Sequence, residues 1–259
     1  MKLEKIVTWL DKTLNVAAFD DVSNNGLQVE RTAGERTCRT RKTCRTGGEI
    51  EKVAFAVDAS VKSVQTAAQT GAQLLVVHHG LSWGGGIKRL TGGVYNVVKA
   101  AMDANLAVYA CHLPLDAHPT LGNNAQLAKL LHLRNVKPAF TYHGNVIGLV
   151  GKCSNVRMLE LAKRVGLKIS DSDIQAFKHS NISLVGVCSG GAGEFAEEAK
   201  NLGCDLYVTG EASWGDVVAA ENCGMEMVCA GHYETEVYGV RAVAAAMKRA
   251  LKVKTVDLT

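Results

Sequence analysis

The chain has 259 residues, of which 47% are hydrophobic and 21% charged, with a formal net charge of +4. This composition is ordinary for a soluble globular protein, and the length suits one or two domains. The sequence has no run of about 18 apolar residues, which argues against a membrane span. The charged stretch 1–14 lacks the apolar core of a signal peptide. We therefore expect a cytoplasmic protein whose eight cysteines are reduced thiols.

Much of the positive charge lies in residues 31–45. This segment holds six cations against a single carboxylate, Glu35, and is almost free of apolar residues. Such a composition favours a solvated loop, and a basic arm alone gives only non-specific attraction to nucleic acid. We do not expect nucleic acid as a partner. Cys38 and Cys44 within the segment match no zinc-binding spacing that we recognise.

Along the chain, short apolar strands alternate with helices. Strands are predicted at 51–57, 74–78, 106–111, 182–188, 204–209 and 225–230, and residues 136–151 alternate like a hairpin. Helices are predicted at 1–14, 60–70 (capped by Asp58 or Ser60), 94–104, 123–131 (capped by Asn123 or Asn124), 156–166, 193–202, 216–222 and 236–251. This alternation predicts mixed or parallel sheets with helices packed on them.

An internal repeat with an offset of 132 residues organises these elements. It aligns the strand containing Val53 with the strand containing Val185, and it carries His78-His79 onto Gly210-Glu211. Convergence of similar βα patterns is the alternative explanation. Duplication explains more, because the polar ends of the two copies match as well as their apolar spacing.

Duplication predicts two related α/β domains with mixed sheets flanked by helices. We place the first domain at 1–128 and the second at 129–259. The C-terminal segment from about residue 232 is a candidate for packing back onto the first domain. If the strand ends of the two domains face one another, their polar residues meet in the cleft between them.

The polar residues at these strand ends are of types that bind transition metals. His78 and His79 end one strand, and each copy later has a histidine followed four residues on by a carboxylate. Neighbours on a regular strand point to opposite faces, so the adjacent pair favours two ions with one imidazole on each. Imidazole with carboxylate suits zinc, iron, manganese or nickel. The six candidate ligands are His78, His79, His112, Asp116, His232 and Glu236.

Two alternatives compete with this metal site. Each histidine could instead be a hydrogen-bonded structural group. The turn 189–196 also fits a dinucleotide fingerprint, through Gly191-x-Gly193-x-x-Ala196. The first repeat has no glycines at that position, and a dinucleotide would leave the histidines unexplained, so we do not favour NAD or FAD. Gly191 and Gly193 remain candidates for holding a substrate phosphate, against a plain tight turn.

Together these motifs resemble the dinuclear-metal proteins known as NGG-one-interacting-factor-three-like, also called GTP cyclohydrolase type 2 homologues, of the short bacterial type. The resemblance covers most of the chain, apart from the basic loop 31–50. It rests on Asn25-Gly-Leu-Gln-Val-Glu30, Val77-His-His-Gly80 with Trp83, His112-Leu-Pro-Leu-Asp116-Ala-His-Pro119, Leu121-Gly-Asn-Asn-Ala125, Thr209-Gly-Glu211 and Gly231-His-Tyr-Glu-Thr-Glu236.

The resemblance implies a toroidal homohexamer with two divalent metal ions per subunit, held by the six residues named above in a cleft between the domains. It also implies GTP cyclohydrolase chemistry, in which the imidazole ring of guanine opens and formate leaves. Glu211 is then a candidate for transferring a proton or supporting a metal ligand. Two other functions stay open, namely another dinuclear hydrolase such as a phosphoesterase and a non-enzymatic metal-binding or partner-binding ring protein.

Overall fold

The computed structural model describes residues 1–32, 49–156 and 181–259. Over these ranges the chain divides into two compact units, Met1–Leu115 with Val240–Thr259, and Asp116–Gly239. Cys38, Cys44 and all but the first residue of the predicted helix 156–166 lie outside the described residues. Among the helices that are described, none combines the length and the apolar character needed to cross a membrane.

The first unit is built on a mixed five-stranded sheet. Its strands are β1 (Gly26–Val29), β2 (Lys52–Asp58), β3 (Leu74–His79), β4 (Ala107–Ala110) and β10 (Lys254–Asp257), in the order β1-β4-β3-β2-β10. Its helices are α1 (Leu3–Leu14), α2 (Val61–Gln69) and α3 (Gly92–Asp103), and the short α4 (Leu113–Asp116) follows β4. Only β1 is antiparallel among these described strands. The sequence prediction omitted β1 and β10, because a four-residue edge strand carries too little alternation to detect.

The second unit has its own mixed sheet. Its strands are β5 (Arg134–Tyr142), β6 (Asn145–Val156), β7 (Ile182–Cys188), β8 (Leu206–Thr209) and β9 (Met227–Cys229), in that order across the sheet. Its helices are α5 (Asn123–Leu130), α6 (Ala196–Asn201), α7 (Trp214–Cys223) and the first part of α8 (His232–Leu251). The predicted hairpin is confirmed as β5 and β6, joined by His143 and Gly144. Both turn residues have positive φ, as a type I′ turn requires.

The strand register reproduces the sequence repeat. Val53 of β2 pairs with Leu74 of β3, and Val185 of β7 pairs with Leu206 of β8, so both pairs are related by the same offset. In both copies the turn from helix to strand uses a glycine with positive φ, 77° at Gly71 and 80° at Gly203. The two mixed α/β sheets that the sequence predicts are therefore confirmed, down to the pairing of individual residues.

One predicted helix cap was wrong, and two predicted helices begin differently from the prediction. Helix α5 is capped by Gly122, and Asn123 and Asn124 lie inside the helix. Helix α8 begins at His232 and not at residue 236, because its first turn is polar and hides the apolar periodicity. The predicted helix 193–202 begins as a 3₁₀ turn over Gly193–Phe195 before α6.

Close packing around Phe140 gives a test of the second core. Phe140 is fully buried, and a Cβ on Gly186 would lie 2.8 Å from its ring and 3.1 Å from Tyr207. We expect Gly186→Ala to lower the free energy of unfolding by about 1–3 kcal/mol, measured by urea denaturation, because the core has no room for the methyl group.

The matched control for this substitution is Gly93→Ala in α3, where a Cβ would meet nothing within 4 Å. This change should be neutral or stabilising by up to about 1 kcal/mol, since alanine is the better helix former. Equal destabilisation by both substitutions would contradict the packing account.

Candidate metal-binding site

Three imidazoles lie close together in the first unit. Two of them are at the end of β3, and the third is in the short connection between β4 and α4. Ligand atoms of His78, His79 and His112 lie within 4.8 Å of one another. The rings of His78 and His79 are 4.6 Å apart and tilted by 47°. Adjacent histidines were expected to diverge, and that expectation was wrong. The side chains converge at the end of β3, where pairing with β4 stops at Val77 while pairing with β2 continues to His79.

This convergence changes the argument for the number of ions. Opposed side chains would have required one ion for each histidine, whereas converging imidazoles are able to share one ion. The expectation of two ions therefore depends on the resemblance and on the carboxylates, and no longer on the geometry of the adjacent pair.

Each of these imidazoles is oriented through its Nδ1 atom. The partners are the Cys111 carbonyl for His78 at 2.9 Å, the Asp58 carboxylate for His79 at 2.8 Å and the Asp21 carboxylate for His112 at 2.9 Å. A carbonyl or ionised carboxylate oxygen only accepts hydrogen bonds, so Nδ1 carries the hydrogen in each ring. In the neutral imidazole the lone pair is then on Nε2. Metal-binding histidines in proteins show this arrangement.

Asp21 is the most strongly held of these acceptors. Its carboxylate receives hydrogen bonds from the His112 ring, the backbone N–H groups of Ser23 and Leu113, and the Asn25 amide. Burial alone would raise the pKa of Asp21. The hydrogen bond and charge of His112, with the bonds from Ser23 and Asn25, outweigh burial and hold this pKa below its ordinary value. Asp21 therefore stays ionised and keeps its acceptor role.

The Asn25–Glu30 motif supports the same group of histidines. The Asn25 side-chain oxygen accepts the backbone N–H of His112 at 2.7 Å, and the Gln28 side chain accepts that of Leu81. A Cβ on Gly80 would lie 2.5 Å from the Cβ of Ala110, besides meeting the Gln28 side chain, so a larger residue does not fit directly after the histidine pair. The motif thus acts by positioning the backbone on both sides of the site.

Sequence reasoning missed the roles of Asp21 and Asp58. Asp58 was considered as a helix cap, but Ser60 caps α2 in a capping box with Ser63. Asp58 ends β2, which pairs with β3, and the carboxyl ends of neighbouring parallel strands lie at the same edge of a sheet. This position could have predicted from the sequence that Asp58 lies beside His79. Asp21 carries no comparable signal.

In the second unit, His232 lies between two carboxylates. Helix α8 places His232 and Glu236 one turn apart, with Nε2 of His232 3.2 Å from Oε1 of Glu236. Nδ1 of His232 lies 2.9 Å from Oε1 of Glu211, which follows β8. The hydrogen bond to the buried Glu236 is the largest cause that raises the pKa of His232 to about 9, with Glu211 contributing and burial opposing. Glu211 therefore orients His232 as Asp58 orients His79.

Asp116 lies in a buried polar network of the second unit. One of its oxygens accepts hydrogen bonds from the Asn123 amide at 2.8 Å and the Ser189 hydroxyl at 3.0 Å. Asn124 in turn accepts the backbone N–H of Ser189 and donates to the carbonyl of Ile147. Because the network members bond to one another, the Asp116 carboxylate is held in one orientation.

The glycine-rich turn packs tightly against these groups. Gly190 has a φ of 71°, and a Cβ there would lie 2.5 Å from Oε1 of Glu236. A Cβ on Gly193 would lie 2.5 Å from that of Ala212. The backbone N–H groups of 189, 190 and 192 bond to the side chains of Asn124, Thr235 and Thr209. These contacts favour the tight turn, and a phosphate-binding role for Gly191 and Gly193 stays a prediction.

The family model Duf34/NIF3 (NGG1p interacting factor 3) matches residues 1–259. The chain belongs to the DUF34/NIF3 family. A Pyrococcus horikoshii member named "GTP cyclohydrolase 1 type 2 homolog" is 38% identical over 259 residues, covering 99% of this chain and 97% of the relative. The resemblance found in the sequence is thereby confirmed.

Two solved structures resemble this chain over its whole length. A protein described as "ybgI, unknown function" is 30% identical with a TM-score of 0.84, covering 100% of this chain and 98% of that one. A Thermus thermophilus protein is 28% identical with a TM-score of 0.82, again covering 100% and 98%. These likenesses extend over both mixed sheets.

The two carboxylates around His232 predict an unusual titration in the metal-free protein. The proton on His232 should be lost near pH 9, and Glu236→Gln should lower this pKa more than Glu211→Gln does, because Glu236 makes the larger contribution. NMR titration of the His232 ring protons in the native protein and in both variants measures both effects.

The same shift has a consequence for stability. Because the pKa of His232 is higher in the folded protein than in the unfolded chain, protonated His232 stabilises the metal-free fold. This contribution is complete below the ordinary pKa of 6.5 and is lost as the pH rises through about 9. A His232 that titrates near 6.5 in the metal-free native protein would contradict this account.

Proposed function

We propose that this DUF34/NIF3 protein is a metal-dependent hydrolase with a dinuclear centre, acting on GTP by opening the guanine ring and releasing formate. The observation that carries the proposal is the set of oriented imidazoles. His78, His79, His112 and His232 each have Nδ1 bonded to an oxygen acceptor, and three of them converge. A purely structural histidine needs no such shared orientation.

The residues fit divalent transition metals by their chemistry. Neutral imidazole nitrogens and carboxylate oxygens are the ligands that zinc, iron, manganese and nickel prefer. We propose that the three histidines of the first unit, together with Asp116, His232 and Glu236 of the second, supply ligands to two such ions. The two oxygens of each carboxylate make Asp116 and Glu236 the candidates for bridging.

Bound divalent ions would act as Lewis acids and bring the pKa of water near neutrality, which supplies the nucleophile for hydrolysis. The side chains around the histidines orient the metal-binding residues and transfer protons. Asp21 and Asp58 hold His112 and His79 in the required tautomer. Glu211, whose side chain is largely exposed, orients His232 and is the candidate for accepting a proton.

The assignment of GTP draws on relatives. The Pyrococcus horikoshii relative and a Deinococcus radiodurans relative, each 38% identical, carry the name "GTP cyclohydrolase 1 type 2 homolog". Assembly into a toroidal homohexamer is part of the same proposal, and it is supported by family resemblance. Light scattering coupled to size-exclusion chromatography measures that state directly.

The central experiment compares the native protein with His112→Asn. We expect the native protein to carry bound transition metal and to release formate from GTP, and the variant to lose both, because His112 supplies a metal-binding nitrogen. Mass spectrometry of the metal content and an assay for formate provide the two measurements. His143→Asn is the matched control, since His143 is exposed and asparagine tolerates its positive φ.

The products distinguish the alternatives. Formate release that requires His112 supports the cyclohydrolase. Free phosphate without formate identifies a phosphoesterase instead. Tight metal binding with no turnover across a panel of nucleotides identifies a metal-binding protein without hydrolase activity, and the proposed reaction is then wrong.

A second substitution tests Glu211. In Glu211→Gln the side-chain oxygen still accepts the His232 hydrogen bond, but the charge and basicity are lost. We expect turnover to fall at least tenfold while metal content is retained. Glu221→Gln, an exposed change on α7, should leave both unchanged. Unchanged turnover with intact metal in Glu211→Gln would rule out proton transfer by this residue.

A further inference from the structure

Trp83 lies beside the histidine group, and the chemistry proposed above makes no use of it. Its ring centroid is 5.0 Å from that of His112 and 6.0 Å from that of His79. The side chain nevertheless stays open to solvent, since the residue is 39% exposed. An indole left partly uncovered next to a cluster of metal-binding side chains offers apolar area for a ligand to cover.

The backbone holds this indole in a fixed place. Trp83 forms an antiparallel bridge with Ser23. Two backbone hydrogen bonds flank the bridge, from Asn24 to the Ser82 carbonyl and from Gly84 to the Val22 carbonyl. The Asn24 amide also donates to the Ser82 hydroxyl at 2.8 Å. The side chain is therefore presented from an anchored segment, and a ligand would not have to order it on binding.

The polar atom of the indole is already bonded. The Nε1–H group of Trp83 donates to the carbonyl of Gly80 at 3.0 Å. What the residue offers to solvent is consequently its apolar ring surface. The contact with His112 is edge-on, at an interplanar angle of 74°, so these two rings do not form a parallel stack.

We propose that Trp83 is a stacking platform that positions a planar heterocycle, such as a purine base, beside the histidine group. The proposal rests on the hydrolase function proposed above and narrows its substrate to compounds with a flat aromatic ring. Stacking against an aromatic side chain tolerates different bases because every base has a π-face. Trp83 therefore selects for ligands with a flat aromatic ring, and discrimination between one base and another requires hydrogen bonds from polar groups.

A stacking role for Trp83 affects substrate binding and leaves metal binding unchanged. Loss of Trp83 should weaken binding of the ring and raise KM, whereas metal binding should not change, because the Nδ1 partners of the histidines are Cys111, Asp58 and Asp21. If Trp83 only supported the imidazoles by packing against them, truncating its side chain would instead reduce the amount of metal that the protein binds.

The test uses calorimetric titration of the full-length, zinc-loaded protein. The probes are GTP, guanosine and adenosine, which carry a purine, and tripolyphosphate, which does not. The variants are Trp83→Phe, which keeps an aromatic face, and Trp83→Leu, which removes it. Tyr95→Leu is the matched control, because Tyr95 is an aromatic residue of the same unit with a similar exposure of 44%.

We expect Trp83→Leu to weaken binding of the purine probes about tenfold or more, on the scale of one base stack. Trp83→Phe should stay within about threefold of the native protein, because the aromatic face is kept. Binding of tripolyphosphate, zinc content and the Tyr95→Leu control should be unchanged.

Four outcomes overturn the platform. They are native-like purine binding by Trp83→Leu, equal losses in the leucine and phenylalanine variants, loss of zinc from Trp83→Leu, and absence of purine binding by the native protein.

The formate assay described above, run at varied GTP concentration on the native protein and Trp83→Leu, separates this inference from the proposed function. Purine binding that depends on Trp83, without formate release from GTP, keeps the platform and rejects the cyclohydrolase. Formate release with an unchanged KM in Trp83→Leu keeps the cyclohydrolase and rejects the platform.

Discussion

The candidate site depends on one interaction repeated in different surroundings, a hydrogen bond from Nδ1 of a histidine to an oxygen acceptor. The four acceptors are the Cys111 carbonyl and the carboxylates of Asp58, Asp21 and Glu211. In His78, His79 and His112 this bond selects the Nδ1–H tautomer and leaves Nε2 available to a metal, whereas both ring nitrogens of His232 lie against carboxylates. If the acceptors of His78, His79 and His112 were lost, these three imidazoles would no longer be oriented as candidate ligands.

The duplicated scaffold uses this interaction differently in its two copies. In the first, His79 ends β3 and Asp58 ends the neighbouring β2, so the acceptor comes from the adjacent strand. In the second, the matching strand ends are followed by Gly190 and Glu211, and the carboxylate now serves His232 on a helix. A common βαβ register therefore supports two different polar arrangements. The asymmetry resides in a few side chains at the strand ends, where substitution leaves the sheet intact.

The buried amide of Asn123 connects Asp116 to the helix that carries Glu236. Asn123 donates to Asp116 at 2.8 Å and accepts the backbone N–H of Gly239 at 2.7 Å, on the helix that carries Glu236. A Cβ on Gly239 would lie 2.9 Å from Cγ of Asn123, so this approach requires glycine. The relative placement of Asp116 and α8 thus depends on a buried amide whose nitrogen and oxygen are both hydrogen-bonded.

The sequence by itself determined the α/β class, the repeat and most of the strands, because periodicity and turn glycines report local structure. Its motifs also carried the resemblance to the family. It also named the candidate ligands. Only the tertiary structure decided how those ligands are held. Asp21 supports His112 across 91 residues, and no local pattern encodes such a pair. The convergence of His78 and His79 and the helical start at His232 were likewise visible only in the tertiary structure, because both lie at the ends of elements, where sequence periodicity carries no signal.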